Sequence, residues 1–311
     1  MTELEKLRSQ LNQIVDAIII EAKKQNTAFV PSLSSTVTPT VTTTPSKPTP
    51  AIEKIDLLAH ISSNFNNLIK DRKEKNLISS FTMTPIKWTR NINCWAKDLD
   101  LTGTSCGIWG LGGVGGGTLI TKKHVLLANH VPYPSLPATI YFVDKNNNSY
   151  EYKIIKTKQV VNSDILIGEL DREADASLKV YKVLPTNYLK YFNKEINFPI
   201  LYSDQERKAL IGENGLLNTT YGSTNTLINI SKDSNRAQYF EPLIVGDSGN
   251  IVSTIINNEI VVIGGWYMTL GNMAGLATNI PNYLNEVNST IASLTPGYKL
   301  NEVDLSNFRQ Y

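Results

Sequence analysis

Gly246-Asp247-Ser248-Gly249 is the segment of this 311-residue chain whose residue types could do the most chemistry. A serine hydroxyl is a poor nucleophile until a base takes its proton, and the oxyanion that attack creates needs hydrogen-bond donors aimed at it. A tight turn flanked by glycines meets both needs. It exposes the side chain and directs successive backbone N–H groups into one small space. The same four residues also make an ordinary polar turn between strands. Two further residues favour the chemical reading. His130 follows an apolar run ending LLAN, and Asp164 opens DILIGEL, an acid followed by a buried-strand pattern. A carboxylate there would hold an imidazole in the required tautomer and stabilise the imidazolium that forms. Asp144, fourteen residues after His130 beside an Asn-rich turn, is a rival for the acid and ranks below Asp164.

Other motifs carry less. GLGGVG at 110–115 fits G-x-G-x-x-G, but the strand-like GGTLITKKHVLLANHV follows it where a dinucleotide site needs a helix. Its glycines are expected to let one backbone segment turn or pass close to another. His124 and His130 have no Cys, His or carboxylate at a spacing that completes a metal site, and His60 has no assigned role. Cys94 and Cys106 are the only cysteines, so a framework of many disulfides is excluded; the two are read as reduced buried thiols, with one bridge as the alternative.

Lys+Arg is 30 and Asp+Glu is 28, a net charge of +2, and phosphate binding needs a clustered basic excess, so nucleic acid is not expected as a partner. Hydrophobic residues reach 41%, enough for a real core. The longest uncharged apolar stretch, 261–277, is broken by Gly264, Gly265, Gly271 and Asn272, and no membrane span is expected. The N-terminus has the charges of a helix and no cleavage site of a signal peptide, which leads to the expectation of a soluble protein, cytoplasmic or virion-associated. The Asn/Ile/Lys-rich style would suit a viral product.

The elements that must position these residues begin with a heptad. Leu4, Leu7, Leu11, Ile14 and Ile18 predict an amphipathic helix over 1–26, either a coiled coil that makes a homo-oligomer or a helix docked on the protein's own body. Residues 27–50, rich in Thr, Pro and Ser, predict a disordered linker. A second helix is predicted over 51–76, with Ile52, Ile55, Leu58, Ile61, Phe65, Leu68 and Ile69 on one face and the charged run KDRKEK as its solvated end. From residue 92 short β-rich runs alternate with turn signals, the pattern of an all-β barrel or sandwich. A short helix opens at Pro281, and residues 295–311 form a tail without assignment.

Three blocks in the order His, Asp, Ser make the chain resemble the chymotrypsin/trypsin-like serine proteases over about residues 92–294. Gly116-Gly117-Thr118-Leu119-Ile120 with 125–130 resembles G-G-x-L-I … V-L-T-A-A-H. Asp164-Ile165-Leu166-Ile167 resembles D-I-A-L, and 246–249 is G-D-S-G itself. Gly265-Trp266 and the 275–283 stretch resemble the family's S-W-G strand and its approach to the C-terminal helix. The resemblance implies two six-stranded antiparallel β-barrels with a C-terminal helix. It implies a serine endopeptidase acting on polypeptides without a cofactor, with His130 as general base, Asp164 as orienting acid and Ser248 as nucleophile. The amides of Gly246 and Ser248 would form the oxyanion hole. It also implies a primary pocket at Glu241, Pro242, Gly265, Trp266 and Tyr267, with Pro242 at the floor. That pocket favours a small or apolar side chain unless Glu241 turns inward.

Departures from the family pattern are equally specific. Asn250 replaces a glycine and Val131 a cysteine. No R-I-V-G-G-like activation site is present, so Asp247 needs a partner other than the freed N-terminus that pairs with its counterpart in secreted members. The alternative function is a catalytically inactive module of this fold serving as a structural or binding component. A lipase-like hydrolase is disfavoured because the G-x-S-x-G elbow is missing.

Overall fold

The computed structural model describes residues 54–83, 86–109, 115–133, 135–192, 197–217, 225–269 and 274–311. The heptad helix and the Thr/Pro linker therefore lie outside the described residues, as does most of the GLGGVG segment.

Helix α1 spans Leu57–Ile69. It starts where Asp56 caps it, the side chain accepting the Ala59 N–H at 2.7 Å. Leu57, Ile61, Phe65 and Ile69 recur every fourth residue and form its buried stripe. The helix expected over 51–76 is thus shorter at both ends. Ile55 sits before the cap in a bridge to Phe308. Asp71 takes a left-handed conformation (φ 61°), which turns the chain away. The KDRKEK run starts at the helix C-cap, and Lys70, Asp71, Lys73 and Glu74 are exposed, while its other two residues make ion pairs. Arg72 pairs with Asp98 at 2.9 Å, and Lys75 with Glu241 at 3.0 Å.

A hairpin that sequence patterning did not anticipate follows: β1 (Ile78–Met83) and β2 (Ile86–Arg90). Trp88 on β2 is buried against Cys106 and Val143, its ring 5.4 Å from that of Tyr141.

The first barrel is built from β3 (Gly107–Trp109), β4 (Thr118–Leu119), β5 (His124–Ala128), β6 (Ala138–Val143), β7 (Ser149–Gln159) and β8 (Ile165–Leu170). Their order is β3-β6-β7-β8-β5-β4, and a bridge between Thr104 and Thr118 brings the two edges together. The second sheet holds β9 (Lys182–Val183), β10 (Phe198–Ser203), β11 (Ala209–Leu217), β12 (Asn225–Asn229), β13 (Ile251–Ile256), β14 (Glu259–Thr269) and β15 (Ala274–Thr278). Six of these close a ring, β13-β10-β11-β12-β15-β14, sealed by the β13–β14 pairing. The seventh, β9, runs parallel to β14 on the outside, so the second sheet carries one strand more than expected. This is the chymotrypsin-like two-barrel fold. A 3₁₀ turn (Ile280–Tyr283) leads into helix α2 (Leu284–Leu294).

Strands β5 and β8 read as continuous apolar runs because both their faces are covered. Val125, Leu127 and Leu166 join the core of the first barrel. Leu126, Ile165 and Ile167 point the other way into the larger core, which includes the second barrel and α1. This double burial fixes the register of the two strands against slippage.

The chain after α2 is not a loose tail. Leu300, Val303, Leu305 and Phe308 are buried, Glu302 bridges Val183, and Phe308 bridges Ile55 with its ring tilted against that of His60, centroids 5.2 Å apart. His60 Nε2 accepts the Asn257 N–H. Described residues before 92 and after 294 thus pack into the same body as the barrels. Among the described residues no helix is long and apolar enough to cross a membrane. Cys94 and Cys106 are both buried and free, and burial pushes each thiol up to about 11.

Candidate functional site

Register places the first two site residues together. Ala128 on β5 faces Ile165 on β8, so His130 and Asp164 leave adjacent strand ends. The Asn129 N–H donates to the Asp164 carbonyl at 2.8 Å and locks that juncture. The His130 N–H donates to Asp164 Oδ1 at 2.9 Å, and His130 Nδ1 lies 2.8 Å from Asp164 Oδ2. Both carboxylate oxygens are thus committed to one residue. An Nδ1–H donated to the carboxylate leaves Nε2 as an acceptor. Nε2 lies 2.8 Å from Ser248 Oγ, which is oriented to donate to it.

Asp144, the rival acid, sits elsewhere. It accepts from the Asn146 and Asn148 amides, the Asn148 side chain and the Tyr150 hydroxyl, closing the β6–β7 turn. His124 is wholly buried, with Nδ1 2.8 Å from the Thr121 hydroxyl. Burial lowers its pKa to about 4.

Ser248 arrives from the other barrel, just before β13. Its turn is stitched to the residues leading into β4: the Gly115 N–H donates to Gly246 O at 2.9 Å and the Gly116 N–H to Ser248 O at 3.1 Å. Gly116 must be glycine for this approach, because a Cβ there would fall 2.4 Å from Asn250 Oδ1 and 2.7 Å from Asn250 Cα. Asn250, the departure behind the nucleophile, donates from its side chain to Asp247 O at 2.8 Å. Overpacking of this kind costs about 1–3 kcal/mol. A Gly116→Ala chain is therefore expected to show a lower urea midpoint, together with weakened Ser248 reactivity, since Asn250 and the Ser248 turn must move together.

The carbonyl and N–H of a trans peptide point in opposite directions. Asp247 O is held by Asn250, so the Ser248 N–H of the same peptide faces away from Asn250. Gly246 has φ +108°, a left-handed value that glycine tolerates. Neither the Gly246 nor the Ser248 amide donates to an acceptor among the described residues.

The Asp164 hydrogen bond raises the His130 pKa above its ordinary value, against an opposing effect of burial. A base acts only when unprotonated, and a raised pKa keeps the protonated form to higher pH. The acid limb of any His130-dependent rate should therefore lie above the ordinary histidine value of about 6.5. Asp164→Asn should move that limb to lower pH, and rate profiles on an activated ester would show it.

A cleft of about 310 Å³ lies against His130 and Ser248. Leu243, Ile244, Val245, Trp266, Tyr267 and Met268 give it an apolar lining. Three of the expected pocket residues, Glu241, Pro242 and Gly265, do not line it. Glu241 is turned away to Lys75 at 3.0 Å and Lys208 at 2.7 Å, and Pro242 is exposed outside the cleft. Leu243, five residues before Ser248, is buried and lines the cleft where Pro242 does not. Gly265 lies behind the cleft, against Asn250 and Gly249. The Trp266 ring is buried edge-on to Tyr202 at 5.7 Å and covers Gly275, whose Cβ would fall 2.3 Å from it. That ring fills the space between the cleft and Gly275.

Sequence reasoning missed Leu243, Ile244, Val245 and Met268, although the apolar run 243–245 directly before the glycine turn was a usable signal. It also missed Tyr133, whose hydroxyl accepts the Ala128 N–H at 3.2 Å beneath the histidine.

No family model and no curated protein matches the chain. Among solved structures, human heparin binding protein is 15% identical, with 63% of this chain and 94% of that chain covered and a TM-score of 0.49. A double mutant of human heparin binding protein (CAP37) is 14% identical, with 64% and 95% covered and a TM-score of 0.48.

Proposed function

We propose that the chain is a serine endopeptidase. The observation that carries this reading is the unbroken hydrogen-bond chain Asp164–His130–Ser248, with both side-chain links at 2.8 Å, at the edge of an accessible cleft. His130 Nε2 takes the Ser248 proton as Oγ attacks the carbonyl carbon of a bound peptide. Asp164 holds the ring and offsets the positive charge it acquires. The amides of Gly246 and Ser248 receive the oxyanion. The tetrahedral intermediate collapses as His130 gives its proton to the departing amine. Water then attacks the acyl carbonyl carbon as His130 takes its proton, and the second tetrahedral intermediate collapses as His130 returns that proton to Ser248 Oγ, releasing the acid and restoring the hydroxyl. The apolar lining of the cleft favours a small or apolar side chain before the cut.

A fluorophosphonate reagent tests the reading. Folded full-length protein should gain one adduct, mapped by mass spectrometry to Ser248. Digests of denatured casein should show cuts after small or apolar residues. Absence of both adduct and cutting would leave the inactive structural module as the better description.

A further inference from the structure

Asp247, directly before the nucleophile, is buried, and its carboxylate is fully engaged by backbone. Oδ1 accepts the Gln205 N–H at 2.9 Å and Oδ2 accepts the Ile244 N–H at 2.8 Å. The tight β10–β11 turn is thereby fastened to the loop that carries the oxyanion amides. A second contact comes from the same residue. Gln205 Nε2 donates to Val245 O at 3.1 Å. That carbonyl belongs to the peptide whose N–H is the Gly246 donor, so the side chain sets which way the donor faces. Gln205 lies directly over Gly246: a Cβ on Gly246 would fall 2.4 Å from Gln205 Oε1. Val245 itself is 95% exposed.

The turn that presents Gln205 is firmly seated. The Lys208 N–H donates to Asp204 Oδ1 at 2.9 Å. The buried Arg207 side chain reaches Cys106 O and Asp204 O, at 2.5 and 3.2 Å, and the Leu77 N–H donates to Arg207 O at 2.9 Å. Gln205 is thus held between the start of the first barrel and the nucleophile turn.

We propose that Gln205 is a positioning residue that presets the Val245–Gly246 peptide as an oxyanion donor, so that the site is assembled by an internal side chain and needs no cleavage of the chain to form. The inference rests on the endopeptidase reading. A donor that is already aimed costs no reorganisation during the reaction. Gln205 touches neither the substrate nor the reacting atoms; it acts through the peptide that does.

The test replaces Gln205 by Met, which keeps the shape of the side chain but cannot donate, and by Ala, which removes it. Both leave the Gln205 backbone N–H on Asp247 in place. Removing an oxyanion donor costs about 10²–10³-fold in kcat, so misaiming one is expected to cost roughly ten- to a hundredfold. KM and the thermal midpoint should hold. The affinity of a peptide boronic acid, which mimics the tetrahedral state, should fall by the same factor as kcat. A side chain that served only as filler would leave the Met variant at wild-type kcat and boronate affinity, and that result would overturn the inference. Wild type that neither cuts casein nor takes the fluorophosphonate would sink the endopeptidase reading instead, so the two failures are distinguishable.

Discussion

Ser248→Ala is expected to lower kcat by about 10⁶-fold, and His130→Ala by nearly as much, while the double variant falls no further. The two act as one unit: without the base the hydroxyl keeps its proton, and without the hydroxyl the base has nothing to activate. Asp164→Asn is expected to cost less, roughly 10⁴-fold. An amide at 164 can still accept the His130 N–H, as Oδ1 does at 2.9 Å. Its NH₂ would then face Nδ1 and force the proton onto Nε2, the wrong tautomer for accepting from Ser248. Single-turnover assays on an ester substrate, with circular dichroism to show retained folding, would give this ordering. A double variant slower than either single one by a further large factor would mean the residues work separately.

A chain beginning at residue 92 is expected not to fold. It would lose Leu57, Ile61, Phe65 and Ile69, all buried on the larger core. At about 1.5–3 kcal/mol for each, their burial contributes roughly 6–12 kcal/mol. The whole stability of a domain is about 5–15 kcal/mol. The loss would also uncover Trp95, wholly buried, whose indole N–H donates to Ala209 O at 2.8 Å and whose ring sits 6.2 Å from that of Phe65. A chain beginning at residue 54 should instead give a cooperative urea transition. Phe65→Ala in the full chain provides a graded version, at about 3–5 kcal/mol. A folded 92–311 chain would show that α1 is an accessory rather than part of the core.

What could be read from the residues alone was what is local. Alternation and turn signals expose short strands, so β5, β8 and β13 were visible, and a glycine-flanked serine declares its own turn. The bounds of α1 were less visible, because Ile55 continues the apolar spacing one turn beyond the Asp56 cap. The strap 300–308 escaped notice because Leu300, Val303, Leu305 and Phe308 follow no period; they fill gaps in a surface that other strands create. The orientation of Glu241 depended on Lys75 and Lys208, one of them more than 160 residues away in sequence. The apparent pocket acid is the partner of two lysines. Residues 1–50, where the heptad reading falls, lie outside the described residues.

The bridge from Ile55 to Phe308 has a practical consequence. Ile55 and the last residues of the chain lie at one corner, with the Tyr311 N–H fastened to Lys190 O at 2.8 Å close by. Helix α1 meets the body at Ile255 and Asn257, at the opposite end of β13 from Ser248, a strand of six residues and about 20 Å long. Cargo fused after Tyr311, or before residue 54 in a chain that begins there, would hang from the side away from Ser248 and leave the mouth of the cleft clear. In a chain that begins at residue 54 the two ends are also near enough to be spliced by a short peptide, which makes residues 54–311 a natural scaffold for circular permutation.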